Sequence, residues 1–171
     1  MGEQTTGGLT EDQTERKDLI AAVKIGWDEA ANTALATVQG AKLVDIELKR
    51  STGGGPEWDS KIAAADGTAH EVEVDAVSGK VTRSRVESDQ DAEDKRELAG
   101  RLSSAKITAQ QAVTTATDRK KGTVSAVGLE DSDGGATIWS VDVVTANDWY
   151  KTAFDIDAAN GDVLREEVDR D

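Results

Sequence analysis

The chain has 171 residues, with 34 acidic and 20 basic side chains, a formal net charge of −14 and no cysteine. The lack of cysteine excludes disulfides, thiolate zinc sites and cysteine nucleophiles. No run of Lys or Arg is long enough to follow a phosphate backbone, and an acidic surface repels anionic lipids, so we expect neither nucleic acid binding nor direct electrostatic membrane binding. No stretch approaches the roughly 20 apolar residues that span a bilayer.

The first half of the chain begins with helical patterns. Residues 1–10 are predicted to be disordered, and residues 11–24 are predicted to add helical turns. Apolar residues then recur at the spacing of one helix face, and Gly40 is predicted to stop this helix. The residues of that face are Trp27, Ala30, Ala31, Ala34, Leu35 and Val38.

After Gly40 the apolar period changes from about 3.6 to 2, which indicates β-strands with one buried face. Asp66 and Gly67 predict a hairpin turn, and Ser78 and Gly79 predict a tight turn into a last strand that starts at Val81. The alternating positions are Val44, Ile46, Leu48; Trp58, Ser60, Ile62; and His70, Val72, Val74.

The second half of the chain repeats the first at an offset of 82 residues. Ile25 aligns with Ile107, and Gly79 aligns with Gly161, while Trp58 and Trp139 differ by 81. Thr108 and Gln111 form a capping-box signature at the start of the second helix, which Gly122 is predicted to stop. The second set of strand positions is Val127, Leu129; Trp139, Val141, Val143; and Thr152, Phe154, Ile156, with a turn at Asn160 and Gly161 and a last strand from Val163.

These patterns predict an α+β fold made of two tandem copies of a helix packed on an antiparallel sheet. The predicted domains are residues 11–86 and 94–171, and an acidic linker, residues 87–93, joins them.

Two motifs in each copy resemble the PepSY domain family. One is Ile-x-x-x-Glu/Gln-Ala-x-x-x-Ala, which begins at Ile25 and Ile107. The other is Val-x-Val-Asp-Ala-x-x-Gly-x-Val, which spans Val72 to Val81 and has a close counterpart ending at Val163. The resemblance implies a cystatin-like layout, an extracytoplasmic location and a role in restraining peptidases. Because no peptidase follows in this sequence, such inhibition would act in trans. The location implied is secreted, or anchored by a segment outside this sequence.

Catalytic chemistry finds little support in the sequence. His70 is the single histidine, so a His-Glu-x-x-His zinc site cannot be assembled. A Ser-His-Asp triad would have to use His70, which is predicted to be a structural residue near the start of a strand. We therefore predict no catalytic residue, cofactor or metal ligand, and a non-enzymatic protein. An enzyme would need a pocket with perturbed acids.

The alternative function is a small-ligand or calcium-binding sensor of the cell envelope. Two clusters of acidic and turn-forming residues are its candidate calcium ligands. Neither has the spacing of an EF-hand, and turn formation explains the same residue types. The clusters are Asp131, Asp133, Gly134; and Asp155, Asp157, Asn160, Asp162.

The candidate partner-binding residues lie in loops. Gly54 and Pro56 belong to the glycine-rich loop of the first copy, and Asp133 belongs to its counterpart in the second copy. Trp149 and Tyr150 lie beside a polar turn and suit a binding surface, although they could instead cover the sheet or the contact between the copies. The favoured prediction is a secreted or envelope protein that binds a protein partner, with a peptidase as the implied partner.

Overall fold

The computed structural model of the chain describes residues 8–132 and 134–171. These residues form four helices and eight strands, and each repeat contains two helices followed by four strands. The first repeat contains α1 (Glu11–Ala22), α2 (Trp27–Leu35), β1 (Lys42–Arg50), β2 (Pro56–Ala63), β3 (Ala69–Asp75) and β4 (Val81–Val86). The second contains α3 (Ala92–Ser104), α4 (Ala109–Arg119), β5 (Thr123–Asp131), β6 (Thr137–Val144), β7 (Lys151–Asp157) and β8 (Val163–Asp169).

All eight strands form one antiparallel sheet with the order β4-β3-β2-β1-β5-β6-β7-β8. Alternate side chains of the inner strands face α2 and α4, which cover this apolar face and form the core with it. The predicted α+β fold with two repeated units is confirmed. The largest fully buried side chains include Trp58, Ile46, Val127 and Phe154.

Two tryptophans hold equivalent places in the two repeats. The indole Nε1 of Trp58 donates to the carbonyl oxygen of Ile25 at 3.0 Å, and Nε1 of Trp139 donates to that of Ile107 at 3.1 Å. Each bond joins the second strand of a repeat to the segment just before its core helix. A buried indole needs such an acceptor, so the pair explains why both repeats carry tryptophan at this position.

The repeats meet edge to edge, where β1 pairs with β5. Ile46 lies opposite Val127, and these two residues are equivalent in the repeats, which differ there by 81 positions. An antiparallel pair of equivalent residues means that a pseudo-two-fold axis passes through this point of the sheet. The two units therefore share one continuous sheet.

Helices α1 and α3 each contact the neighbouring repeat and so tie the repeats together. From α1, Gln13 Nε2 donates to the carbonyl of Asp148 in the second repeat at 3.1 Å, and Arg16 Nε donates to that of Trp149 at 2.8 Å. From α3, the backbone of Lys95 approaches Gly67 of the first repeat. Each helix thus packs against the neighbouring repeat as well as its own.

Most of the predicted local features are confirmed. Thr108 and Gln111 form the predicted capping box of α4. Thr10 and Gln13 form a second capping box at α1, which was not predicted from the sequence. Glycines 67, 79 and 161 adopt positive φ in the predicted turns. The predicted disorder of residues 1–10 falls largely on residues 1–7, which lie outside the described residues, and the division into domains 11–86 and 94–171 stays a prediction.

Candidate binding surfaces

The outer strands of the sheet are β4 and β8. Every residue of β4 is exposed, whereas Val163 and Val168 near the ends of β8 are half-buried. Val81 at 39% and Val86 at 55% are among the most exposed large apolar side chains of the described residues. An outer strand has unpaired backbone groups along one side and can pair with another strand. Both strands carry charges, and β-bulges interrupt the pairing of each with its inner neighbour.

Two of the predicted binding residues belong to the glycine-rich loop of the first repeat, and they differ in exposure. Gly54 is exposed at the tip between β1 and β2, with φ of 96°, and its carbonyl accepts a hydrogen bond from Arg50 at 2.7 Å. Pro56 is buried at the start of β2, where its carbonyl accepts from the Ala76 N–H. Only Gly54 is therefore open to a partner. Asp133, the predicted counterpart in the second repeat, lies outside the described residues.

Trp149 and Tyr150 lie in the turn between β6 and β7 and are both half-buried. Trp149 has φ of 60°, a left-handed conformation that is uncommon for a tryptophan. The Asp148 carboxylate accepts from the Tyr150 N–H at 2.9 Å and from the Thr145 hydroxyl, and this shapes the turn. Because α1 binds the carbonyls of this turn, these residues contribute to the contact between the repeats. The partner role of their side chains stays a prediction.

A groove of about 500 Å³ runs between α2 and α4 on the helical side. Most of its lining is apolar, and it is contributed by both repeats. Its size and lining fall within the range of small-molecule sites. The larger apolar side chains around it are Trp27, Leu35, Leu43, Leu102, Ile107 and Trp139.

The opposite, polar face of the sheet carries an acidic triad, defined here as Glu57, Asp59 and Glu73. Each contributes a carboxylate oxygen, and the three oxygens lie within 4.8 Å of one another. The hydrogen bond with Asp59, followed by burial and the charges of Asp59 and Glu73, raises the pKa of Glu57 to about 7. Lys49 Nζ lies 3.8 Å from Asp59, and Arg83 lies 4.0 Å from Glu73, so the triad is partly neutralised.

Sequence reasoning missed this triad, although strand parity contains a signal for it. Glu57 and Asp59 are two residues apart on β2 and share a face, while Glu73 lies directly opposite Asp59 on β3. The equivalent positions of the second repeat are Ile138, Ser140 and Asp155. Only the first repeat has a carboxylate at all three positions, and a comparison of the two repeats there would have revealed the triad.

Two more carboxyls lie on the polar face near the junction of the repeats. Burial raises the pKa of Asp45 and of Asp142, and the nearby charge of Glu47 raises both further. Lys61 and Lys151 partly oppose these effects. The centre of this face is therefore a poorly solvated region of negative charge.

The acidic residues singled out for calcium are used in other ways. Asp131 accepts a hydrogen bond from Arg101 at 3.2 Å. Asp157 accepts from the Ala159 N–H, and Asn160 accepts from the Asp162 N–H, as in ordinary turns. Asp155 lies 3.7 Å from Arg165. Within the described residues these groups do not converge on a common point.

No helix in the described part of the chain is both long enough and apolar enough to cross a membrane.

Comparisons with known proteins identify the repeats. The PepSY family profile, "Peptidase propeptide and YPEB domain", matches residues 24–85 and 106–167. No curated protein sequence matches the chain significantly. The fold resembles a crystal structure from Clostridium difficile 630 of a protein provisionally assigned as a lipoprotein, with 22% identity, a TM-score of 0.52, and coverage of 86% of this chain and 95% of that one. The YpmB protein from Bacillus subtilis is 18% identical, with a TM-score of 0.34 and coverage of 84% and 97%.

Proposed function

Because the chain belongs to the PepSY family, we propose that it is a non-catalytic protein of the cell envelope or the extracellular space that binds a protein partner. We further propose that the partner is a peptidase, which the chain restrains in trans. The family description names peptidase propeptides, and the C. difficile relative is provisionally assigned as a lipoprotein. Both support an extracytoplasmic setting for this binding role.

The observation that carries the proposal is the full exposure of β4 along an otherwise well-packed sheet. An extended segment of a partner can pair with such a strand, with backbone hydrogen bonds supplying affinity and flanking side chains supplying specificity. Val81 and Val86 offer apolar contacts at the two ends of the strand, and Arg83 and Arg85 offer charge between them. A strand that pairs with the substrate-binding region of a peptidase occupies the place of the substrate and so restrains the enzyme.

Affinity capture from the secreted and envelope fractions of the native organism tests this proposal. Any captured peptidase is then assayed with and without the full chain. Ser84→Pro removes one outward N–H of β4, and Glu166→Pro makes the equivalent change on β8 as the matched control. We expect capture and inhibition with the native chain and with Glu166→Pro, and their loss with Ser84→Pro. No captured peptidase, or equal inhibition by both variants, contradicts the proposal.

A second candidate, a calcium sensor, is favoured by the acidic triad on the polar face. Three carboxylates within 4.8 Å are a donor set of the kind that calcium prefers. Calcium bound only by the folded protein must raise the melting temperature. We expect such a rise in the native chain and its loss in Asp59→Asn, while Glu71→Gln on the same face retains it. A melting temperature that does not respond to calcium eliminates this candidate.

A further inference from the structure

The unpaired backbone groups of β4 can be located from its pairing with β3. The Glu87 N–H donates to the Ala69 carbonyl at 2.9 Å, so this pair is hydrogen-bonded. Hydrogen-bonded pairs alternate along an antiparallel ladder, and the backbone groups of Arg85 and Arg83 therefore also point toward β3. Those of Ser84 and Val86 point outward. A second strand would bind β4 through these two residues.

The other outer strand has the same arrangement. Arg165 lies opposite Asp155 on β7 as Arg83 lies opposite Glu73 on β3, so β8 repeats the register of β4. The equivalents of Ser84 and Val86 are Glu166 and Val168. Their backbone groups point outward at the opposite edge of the sheet.

The charges beside these outward residues differ between the two edges. On the polar face, β4 and the residue after it present Arg83, Arg85 and Glu87, a basic, basic, acidic series. On the same face β8 presents Arg165, Glu167 and Asp169, a basic, acidic, acidic series. When the two strands run antiparallel, each charged residue of the β4 series faces a residue of opposite charge in the β8 series.

From this complementarity we propose that β4 of one molecule pairs antiparallel with β8 of a second copy of the chain. In this register Ser84 lies opposite Val168 of the second copy, and Val86 lies opposite Glu166, as hydrogen-bonded pairs. The pair between them and the pairs on either side set opposite charges face to face, and these non-hydrogen-bonded pairs are the ones whose Cα atoms approach most closely, at about 4.5 Å. The three charge pairs are Arg83 with Asp169, Arg85 with Glu167, and Glu87 with Arg165.

Pairing like edges is less favourable. Two β4 strands centred on Ser84 set Arg83 opposite Arg85 twice, and centred on Val86 they set Arg85 opposite Glu87 twice. Two β8 strands centred on Glu166 set Arg165 opposite Glu167 twice but also set the Glu166 carboxylate opposite itself. These registers of like edges give at most two opposite-charge pairs, whereas β4 with β8 gives three and no like-charge pair. Like charges directly opposite one another destabilise a strand pair. The complementary contact therefore joins different edges, and each added copy leaves one β4 and one β8 free for the next.

The same kind of contact already exists within the chain. Strands β1 and β5, which are equivalent in the repeats, join the two sheets edge to edge in antiparallel order. The proposed contact joins another equivalent pair, β4 and β8, in the same way. The net charge of −14 opposes association between copies, and a single strand pair buries little surface, so we expect a weak, concentration-dependent assembly.

Sedimentation velocity of the purified full chain, over a range of concentrations at about 0.15 M salt, tests the proposal. We expect a concentration-dependent rise in mean mass. Arg85→Glu or Glu167→Arg alone should weaken association about tenfold, because each creates a like-charge pair. The double variant carrying both changes restores an opposite-charge pair and should restore association. Lys121→Glu, which makes the same charge change as Arg85→Glu at an exposed residue between α4 and β5, away from both edges, serves as the control.

A chain that stays monomeric at every concentration overturns the proposal, and so does a double variant that associates no better than the single variants. Each variant is checked by thermal unfolding, because Arg85 also bonds to Glu71 within the chain. The inference does not rest on the proposed function. Ser84→Pro and Glu166→Pro should both abolish self-association, whereas only Ser84→Pro should abolish peptidase inhibition, so the two failures are distinguishable.

Discussion

Replacing Glu57 by glutamine tests whether charge repulsion within the acidic triad destabilises the folded protein. The pKa of Glu57 rises from 4.5 to about 7 on folding, so the folded state binds a proton more tightly than the unfolded state. The contribution of Glu57 to stability is then greatest below about pH 4.5, and it is lost as pH rises through about 7. The glutamine side chain of Glu57→Gln imitates the protonated form, because it is neutral and its amide can donate to Asp59 at every pH.

The size of this effect follows from the pKa change, reduced for solvent. A rise from 4.5 to about 7 corresponds to at most about 3 kcal/mol between the two protonation states. The side chain is only half-buried, and water screens the repulsion, so about 1 kcal/mol is a realistic stabilisation by Glu57→Gln at about pH 8. For a chain of this length, that corresponds to an increase of about 2–4 °C in melting temperature.

Denaturant titrations at several pH values between about 4 and 8 measure the effect. Glu71→Gln on β3 is the matched control, because its bond with Arg85 lowers the pKa of Glu71. That carboxylate contributes stability above its unfolded pKa, which is lost as pH falls, so its replacement should destabilise near neutral pH. If Glu57→Gln also destabilises at about pH 8, or leaves the pH dependence unchanged, the repulsion inferred for the triad is refuted.

Three further substitutions test how the fold is held together. Gly67→Ala sets a Cβ 1.9 Å from the Lys95 carbonyl oxygen at φ of +88°, so this variant should lose about 3 kcal/mol of stability in denaturant unfolding. The control Gly54→Ala also has positive φ but its Cβ meets open space, so it should lose about 1 kcal/mol. Equal losses would contradict the contact between Gly67 and α3. Trp58→Phe should cost about 2–3 kcal/mol because the Ile25 carbonyl loses its donor and a cavity forms, and a cost below about 0.5 kcal/mol would refute that role. Arg16→Ala should speed hydrogen exchange in residues 145–150, while unchanged exchange would show that α1 does not hold the turn.

The local structure was predictable because its causes are local. The capping box of α4 requires only Thr108 and Gln111, three residues apart. The turn at Gly161 requires a residue that accepts positive φ. Alternation in β2 and β6 identifies their buried faces, and the repeat supports each element by showing it twice. The PepSY resemblance rests on these same features and is confirmed over both repeats.

The candidate sites were harder to predict because they depend on register and on distant segments. The sequence pattern indicates a loop at Pro56, but β2 begins at that residue and buries it. Trp149 stands out in the sequence as an aromatic beside a polar turn, yet its backbone contact with Arg16 joins segments far apart in sequence. The acidic triad requires the pairing of Asp59 with Glu73 across a hairpin.

The amino-acid pattern was sufficient for the repeat, the order of helices and strands, the face of each strand and the family, because periodicity and turn chemistry act over a few residues. It was not sufficient for the joining of the repeats through β1 and β5 or for the contacts that α1 and α3 make between them. An isolated repeat leaves its first strand unpaired along one side, and only the folded chain shows which strand pairs with it. That pairing leaves β4 and β8 as the outer strands, and with them the surfaces on which both proposals depend.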